Sequence, residues 1–414
     1  MSRVLGTGSR GRRTRLAVFS AVAAAAAIAA AVVAGTGASS GSASEVKIGL
    51  ITSVSGPASV YYPSIKQVTQ MAVDEINAAG GVLGKKVKLV TADTKTTPAQ
   101  AASQSRRLVQ EGVRLMVTED IVADRDAALP ATTQRNIPFI YAWSYEGGTS
   151  QQGTDTTCVN NFWSTGQVPN NLVPQPIAYL SKRGWKNWFL IGSDYKWPRT
   201  MNFHIGNQIR KNGGKVLGQQ YVPLGTSEFT ALVTRLKGLP KGTKIVVNMV
   251  GGDLIGFYKQ FHQAGGNNSD TITFAMDEQT LGATGGAAEG AYGSYDYYFN
   301  RTNPGNVAWI KKLRAKYGKS TAVATSLSEE GYEAIWLWAK AVKLAGSFEL
   351  DKLIPAFPKV SIFGPRDTLR FLPNRHMALP NILATAGPKN LYTKFVANFG
   401  VIAPADQCPP GKYK

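Results

Sequence analysis

From Val46 onward, short apolar runs alternate with segments of helical periodicity, and this alternation limits the chain to one fold class. The run VKIGLIT over 46–52 has the length and largely apolar character of a strand buried on both faces. SGPAS follows as turn material. Ile65, Val68, Met71, Ala72 and Ile76 then recur at helical spacing over 63–79, and Gly80-Gly81 stops that helix. The pattern continues with a strand at 87–92, a helix at 98–111, a strand at 114–118, a helix at 123–135 and a strand at 138–141. Serial β-α-β units of this kind build a parallel sheet with helices on both faces, an α/β architecture.

After the polar stretch GGTSQQGTDTTC the pattern restarts. Helices are expected at 171–183, 198–211, 228–239 and 254–264, and strands at 188–192, 216–222, 245–249 and 272–274. Two segments echo each other. INAAGGVLGKKVKLV, from Ile76, and IRKNGGKVLGQQYVP, from Ile209, share a layout of helix end, Gly-Gly, Val-Leu-Gly and strand. The spacing is far too long for a solenoid repeat. The echo points to two similarly built lobes, although a common helix-to-strand turn accounts for it equally well. Further helices are expected at 303–317, 326–344 and 350–356, a short ribbon at FGPRDTLRFLPN, a last strand at 379–385 and then a Pro-rich tail. A chain of 414 residues has room for two or three domains at roughly 150 residues each.

The first 44 residues carry Arg3, Arg10, Arg12, Arg13 and Arg15 and no acid. An Ala-rich apolar run over 16–34 and the small-residue stretch GTGASSGSAS follow. That is the order of a secretory signal, with cuts expected after Ala38 or Ala43. An uncleaved anchor is the alternative, since the run approaches the roughly 20 residues that a bilayer requires. Arg12-Arg13 matches a twin-arginine signal only in part, because Arg15 stands where such a signal prefers a hydrophobe. No Cys follows the apolar run, which removes a lipoprotein anchor.

The leader also localises the charge. Formally the chain carries +20, and losing the five leader arginines leaves +15. The remaining Lys and Arg are scattered, as on a solvated basic surface, and an exported chain without an aromatic-basic motif is not read as a nucleic-acid binder. Export places the chain in an oxidising compartment. The only two cysteines, Cys158 and Cys408, are therefore expected to pair as a disulfide, with two free thiols as the alternative.

Motifs of catalysis are missing: no GxSxG, HExxH, GxxxxGK[ST] or CxxC occurs, and His204, His262 and His376 have no metal-ligand spacing. The chain is read as a non-enzyme that needs no cofactor or metal. Instead, aromatic and polar residues stand just after strands, where open α/β sheets bind ligands. Ser55 and Tyr61 follow the first strand. Tyr141, Trp143, Ser144 and Tyr145 end the fourth. Asp194, Tyr195 and Trp197 follow the first strand of the second half, and later strands lead to Asp253 and to Asp277 and Glu278. One such aromatic packs on its own lobe as readily as on a ligand. Aromatic or polar residues recurring at five strand ends make a shared cleft the better reading.

At these residues the chain resembles the type I periplasmic binding proteins of the branched-chain amino acid, urea and short-chain amide branch. The stretches that carry the resemblance are SGP, MAVDEINAAGGVLGKKVKLV, YEGG, IGSDYKWPR, GGKVLGQQYVPLGTSEF, FYKQFHQAG and PNRH, spread over about Val46 to Leu383. The resemblance implies two doubly wound parallel-sheet lobes joined by three crossovers, with ligand closed between them. Lobe one is then expected at 45–160 plus 300–378, and lobe two at 161–299 plus 379–414, after a signal peptide at 1–44. A Cys158–Cys408 bridge would then sit near the hinge.

The resemblance further implies that Tyr61, Tyr141, Trp143, Tyr195 and Trp197 contact ligand, and that Glu278 lies near the position that holds a ligand amino group. Ser55, Tyr145 and Asp253 complete the expected ligand set from their strand-end positions. One position departs from the family pattern: Val122 stands where a small hydroxyl residue holds a carboxylate or amide oxygen, and Glu119 and Asp120 precede it. A larger, more apolar ligand follows, aromatic or amine-bearing. The chain is read as an exported, monomeric solute-binding protein delivering a small molecule to the membrane permease of an ABC transporter. The alternative is a ligand sensor of the amide-sensing type on the same fold.

Overall fold

A computed structural model describes residues 44–147, 157–388 and 391–408. The leader lies outside these residues apart from Ser44. The expected elements appear in order: β1 (Glu45–Thr52), α1 (Tyr62–Ala78), β2 (Lys86–Asp93), α2 (Pro98–Gln110), β3 (Met116–Glu119), α3 (Val122–Thr133), β4 (Phe139–Tyr141) and the unforeseen β5 (Phe162–Ser164). These strands form one fully parallel sheet in the order β2-β1-β3-β4-β5. The apolar stripe of α1 is buried as its spacing required. Gly49 lets α2 come close to β1: a Cβ there would stand 2.9 Å from Leu108 Cδ1 and 2.8 Å from Met116 Sδ.

The second half begins with α4 (Pro169–Leu172) and α5 (Pro174–Lys182), where one helix was expected. Pro174 has no N–H to continue the ladder, so the helix breaks there. Then come β6 (Asn187–Ser193), α6 (Lys196–Lys211), β7 (Lys215–Val222), α7 (Thr230–Lys237), β8 (Lys244–Asn248), α8 (Gly251–Gln263), β9 (Thr271–Thr273), α9 (Glu278–Ala283) and β10 (Tyr292–Tyr295). Their parallel order, β7-β6-β8-β9-β10, repeats the first sheet strand for strand. The sequence echo thus marks equivalent edge strands. Its Val-Leu-Gly differs in conformation: Leu83 and Gly84 take positive φ in a turn before β2, whereas Val216-Leu217-Gly218 lies within β7.

The chain next builds α10 (Pro304–Tyr317), α11 (Ser326–Ala345), α12 (Leu350–Leu353) and a hairpin of β11 (Ile362–Gly364) and β12 (Asp367–Leu369). Helix α11 packs on α1 and β3, back at the first sheet. β13 (Leu379–Ala386) and β14 (Tyr392–Ile402) then extend the second sheet, both antiparallel to their neighbours. The purely parallel sheet expected for the second lobe therefore gains an antiparallel edge. The segment read as a Pro-rich tail supplies that edge. Most of β14 is exposed and its pairing carries register shifts, which erases the alternation by which a strand is recognised. Among the described residues no helix is long and apolar enough to cross a membrane.

The chain passes between the sheets three times, and two devices hold the crossings. Arg366, fully buried between β11 and β12, pairs with Asp296 just past β10 and with Glu329, Glu330 and Glu333 of α11. It also donates to the Thr165 carbonyl, just past β5, at 3.1 Å. Burial and mutual repulsion push Glu329 and Glu330 well above the usual carboxyl range. The second device is the Cys158–Cys408 disulfide, with Cα atoms 5.7 Å apart. Beside it, Arg375 donates to the carbonyls of Val159 and Asn160 at 3.0 and 2.6 Å.

Candidate functional site

The strand order reverses between β1 and β3 in one sheet and between β6 and β8 in the other. Such reversals open a crevice at the carboxyl ends of the strands. One cleft of about 350 Å³, mouth included, is lined from both sheets. The first sheet supplies Tyr61 from the turn after β1, Ile121 and Val122 after β3, and Tyr141, Trp143 and Ser144 at and after β4. The second supplies Tyr195 and Trp197 after β6, Val250 after β8, and Phe274 and Ala275 after β9. Leu327, in the first turn of α11, closes the wall.

The rings brace one another and the chain around them. Tyr61 and Trp143 meet edge to face with centroids 4.9 Å apart. The Trp143 indole N–H donates to the Leu327 carbonyl, and Tyr141 Oη donates to the Asp120 carbonyl at 2.7 Å. Gly251 N, at the start of α8, donates to Tyr61 Oη at 3.1 Å and so joins the two sides of the cleft. Two polar atoms of the wall, Trp197 Nε1 and Ser144 Oγ, are buried without a hydrogen-bond partner among the described residues. Unpaired buried polar groups are costly and mark places where a ligand or water completes the site.

No lining side chain is charged; the charges stand one layer back. Arg125 lies between the rings of Tyr141 and Tyr145, 5.0 Å from each centroid. It pairs with Glu146 at 2.6 Å and Asp126 at 2.5 Å. Lys196 of α6 reaches the same two carboxylates, at 2.9 Å for Glu146 and 3.0 Å for Asp126. This quartet ties α6 to α3 behind the wall. Beneath Val122, Asp120 is held by Ser53 Oγ at 2.8 Å, by Thr94 Oγ1 at 2.5 Å and by its neighbour's Ile121 N–H at 2.8 Å. Burial outweighs these bonds and raises the Asp120 carboxyl to about 6. Burial and then Asp120 raise Asp124 to about 8.

Six residues of the expected ligand set line the cleft: Tyr61, Val122, Tyr141, Trp143, Tyr195 and Trp197. Four do not. Ser55 is exposed and donates to Asp93 Oδ2 at 2.7 Å, which fastens the turn after β1. Tyr145 is one layer behind, hydrogen-bonded to and stacked on His376. Asp253 accepts from Ser193 Oγ at 2.6 Å and from Gly225 N at 2.9 Å. Glu278 accepts the Phe299 N–H at 2.8 Å, and burial raises its carboxyl to about 8. These two carboxylates are bonded to their own neighbours and are not part of the wall.

The wall also holds residues that the expected set omitted. Val250 and Phe274 follow strands as the aromatics do, but a lone apolar residue there looks like the strand's own end. Leu327 comes from a helix about 180 residues downstream of Trp143, and no local pattern points to it. No cluster of metal-ligating side chains is present among the described residues.

Comparison with known proteins bears on this architecture. Residues 45–385 match the family model described as periplasmic binding protein. The chain is 24% identical over 330 residues to Leu/Ile/Val-binding protein homolog 1 of Brucella suis biovar 1, covering 77% of this chain and 84% of that one. Its fold is similar to that of a solute-binding protein of an ABC transporter from Rhodopseudomonas palustris HaA2, solved in complex with p-hydroxybenzoic acid. The TM-score is 0.75 with 22% identity, over 87% of this chain and 98% of that one. It is similar too to the branched-chain amino acid transporter substrate-binding protein LivJ from Streptococcus pneumoniae in complex with isoleucine. There the TM-score is 0.72 with 22% identity, over 87% of this chain and all of that one. At such identities the structural likeness speaks for the fold.

Proposed function

The chain belongs to the periplasmic binding protein family, type I, in its branched-chain amino acid branch, and we propose that it is the exported solute-binding subunit of an ABC transporter. It captures a compact, largely apolar solute between its lobes and presents it to a membrane permease. One observation carries this reading: a single cleft whose aromatic wall is drawn from the strand ends of both sheets. Neither lobe holds a complete site, so binding favours the state in which the two are together. The relatives bind an aromatic acid or a branched-chain amino acid by the names they carry. A site faced by Tyr, Trp, Val and Leu suits that size and apolarity.

We take the lobes as 45–164 with 300–378, and 165–299 with 379–408. The first boundary, expected at 160, moves because Phe162–Ser164 pairs with β4. The hinge is the set of three crossings that Arg366 and the disulfide hold. Closure forms the Tyr61–Gly251 bond, the Lys196 bridge and a bond from Gln279 Nε2 to the Val323 carbonyl. The basic-apolar leader directs export. Titration of the mature protein with solutes, followed by tryptophan emission and by small-angle scattering, tests the reading. The true ligand shifts the emission and contracts the particle; tight binding with neither change contradicts closure.

A further inference from the structure

Six aromatic side chains ring the cleft, Tyr61, Tyr141, Trp143, Tyr195, Trp197 and Phe274, and the lining includes no charge. Acids outnumber cations behind the ring, although Arg125, 5.0 Å from the Tyr141 centroid, acts on that phenol with the opposite sign. Both nearby cations, Arg125 and Lys196, are engaged with Asp126 and Glu146. Asp120, Asp253 and Asp277 are instead held by hydroxyl and backbone N–H groups. They act on the cleft phenols: after burial itself, Asp277 and Asp253 raise Tyr61, and Asp253 and Asp120 contribute to raising Tyr195.

The start of α3 is a poor hold for a ligand carboxylate. Val122 has no hydroxyl to offer. The Ile121 N–H, at the N-cap of α3, is taken by Asp120 Oδ1 at 2.8 Å, which sets a carboxyl close to the Val122 and Ala123 N–H groups of the first turn. A ligand carboxylate at this end would stand near the buried Asp120 carboxyl. Among its side chains the wall offers two unpaired buried groups, Trp197 Nε1 and Ser144 Oγ.

Building on the solute-binding reading above, we propose that the cleft selects a compact quaternary ammonium that carries one oxygen acceptor and no carboxylate. Aromatic faces attract a cation through their quadrupoles, most strongly when the site is dry. A fully methylated nitrogen brings no N–H groups, so it leaves no unpaired donor against Val122, Val250 and Leu327. A primary ammonium would leave its donors unpaired there. The acids behind the ring favour positive charge, and the ligand oxygen accepts from Trp197 Nε1 or Ser144 Oγ.

Calorimetry on the mature protein tests this with choline, its neutral carbon analogue 3,3-dimethylbutan-1-ol, glycine betaine, isoleucine and p-hydroxybenzoate. Choline is expected to bind at least about tenfold more tightly than the neutral analogue, and tighter than betaine by a similar factor. Trp143→Leu should weaken choline severalfold more than it weakens the neutral analogue. Should that variant misfold, Trp197→Phe keeps a ring, removes the N–H and should still weaken choline severalfold. A neutral analogue or betaine that matches choline overturns the proposal, and so does choline without measurable heat. In that last case, binding of isoleucine or p-hydroxybenzoate leaves the solute-binding function standing. No binding by any of the five, with no small molecule carried through purification, takes both down.

Discussion

The phenol oxygen of Tyr61 accepts the backbone N–H of Gly251 at 3.1 Å, across the cleft. Gly251 has φ +52, and a Cβ there would stand 2.4 Å from the Pro57 carbonyl oxygen. That carbonyl belongs to the turn beyond β1, so under the proposed closure the clash arises only when the lobes come together. Gly251→Ala should therefore weaken solute binding at least about tenfold. The left-handed backbone itself adds roughly 1–2 kcal/mol of strain, so the melting temperature of the unliganded protein should fall by no more than about 4 °C. Calorimetric titration beside a melt of the free protein checks both. Unchanged affinity would mean that the contact plays no part in closure.

Arg366→Met leaves Asp296, Glu329, Glu330 and Glu333 buried together without their cation. Breaking a buried ion cluster from one side costs about 3–5 kcal/mol. Denaturant unfolding near neutral pH should show a loss of that order. The loss should narrow toward about pH 5, where the carboxyls neutralise themselves by taking up protons. A loss below about 1 kcal/mol, or one that is constant with pH, contradicts the clamp described for the crossings.

Stability should fall as pH rises from about 6.5 to 8. Asp124 and Glu278 are both raised by burial to about 8. Their folded values lie above the unfolded ones, so the native state holds more protons and loses stability as pH climbs toward 8. His376 has the opposite sign. Burial lowers it to about 4, so its effect ends near its ordinary value of about 6.5, below the window. The melting temperature should decline across the window in the wild type and decline less in Asp124→Asn. A flat or rising wild-type profile would contradict the burial assigned to these carboxyls.

The Cys158–Cys408 bond closes a separation of 250 residues and does not touch the cleft wall. Replacing both cysteines with Ser should lower stability by about 3–5 kcal/mol and leave solute affinity within about twofold. Unfolding curves and titrations of the double variant measure the two effects separately. A large change in affinity with unchanged stability would place the bridge in the binding mechanism instead.

Much of this was legible before any coordinates. VKIGLIT is a short, largely apolar run and the residues from Ile65 to Ile76 keep helical spacing, and both became the elements they implied. Tyr141 and Trp197 could be placed at a cleft because α/β sheets bind at strand ends whatever the sequence between. Pairings set by distant packing were not legible. β14 exposes most of its side chains and takes its register from β13. Leu327 reaches the wall only because α11 packs back on α1. Glu278 and Asp253 stand after strands as a ligand-binding acid would, yet the Phe299 and Gly225 N–H groups engage them. A position after a strand does not reveal what the side chain bonds to.

The central claim is that Trp143 from one lobe and Trp197 from the other close on one small molecule. Native mass spectrometry of freshly purified protein, wild type beside a Trp143→Leu, Trp197→Leu double variant, tests it most directly. The account predicts one small molecule bound per wild-type chain, released on unfolding and absent from the double variant. A molecule retained equally by both proteins would contradict it.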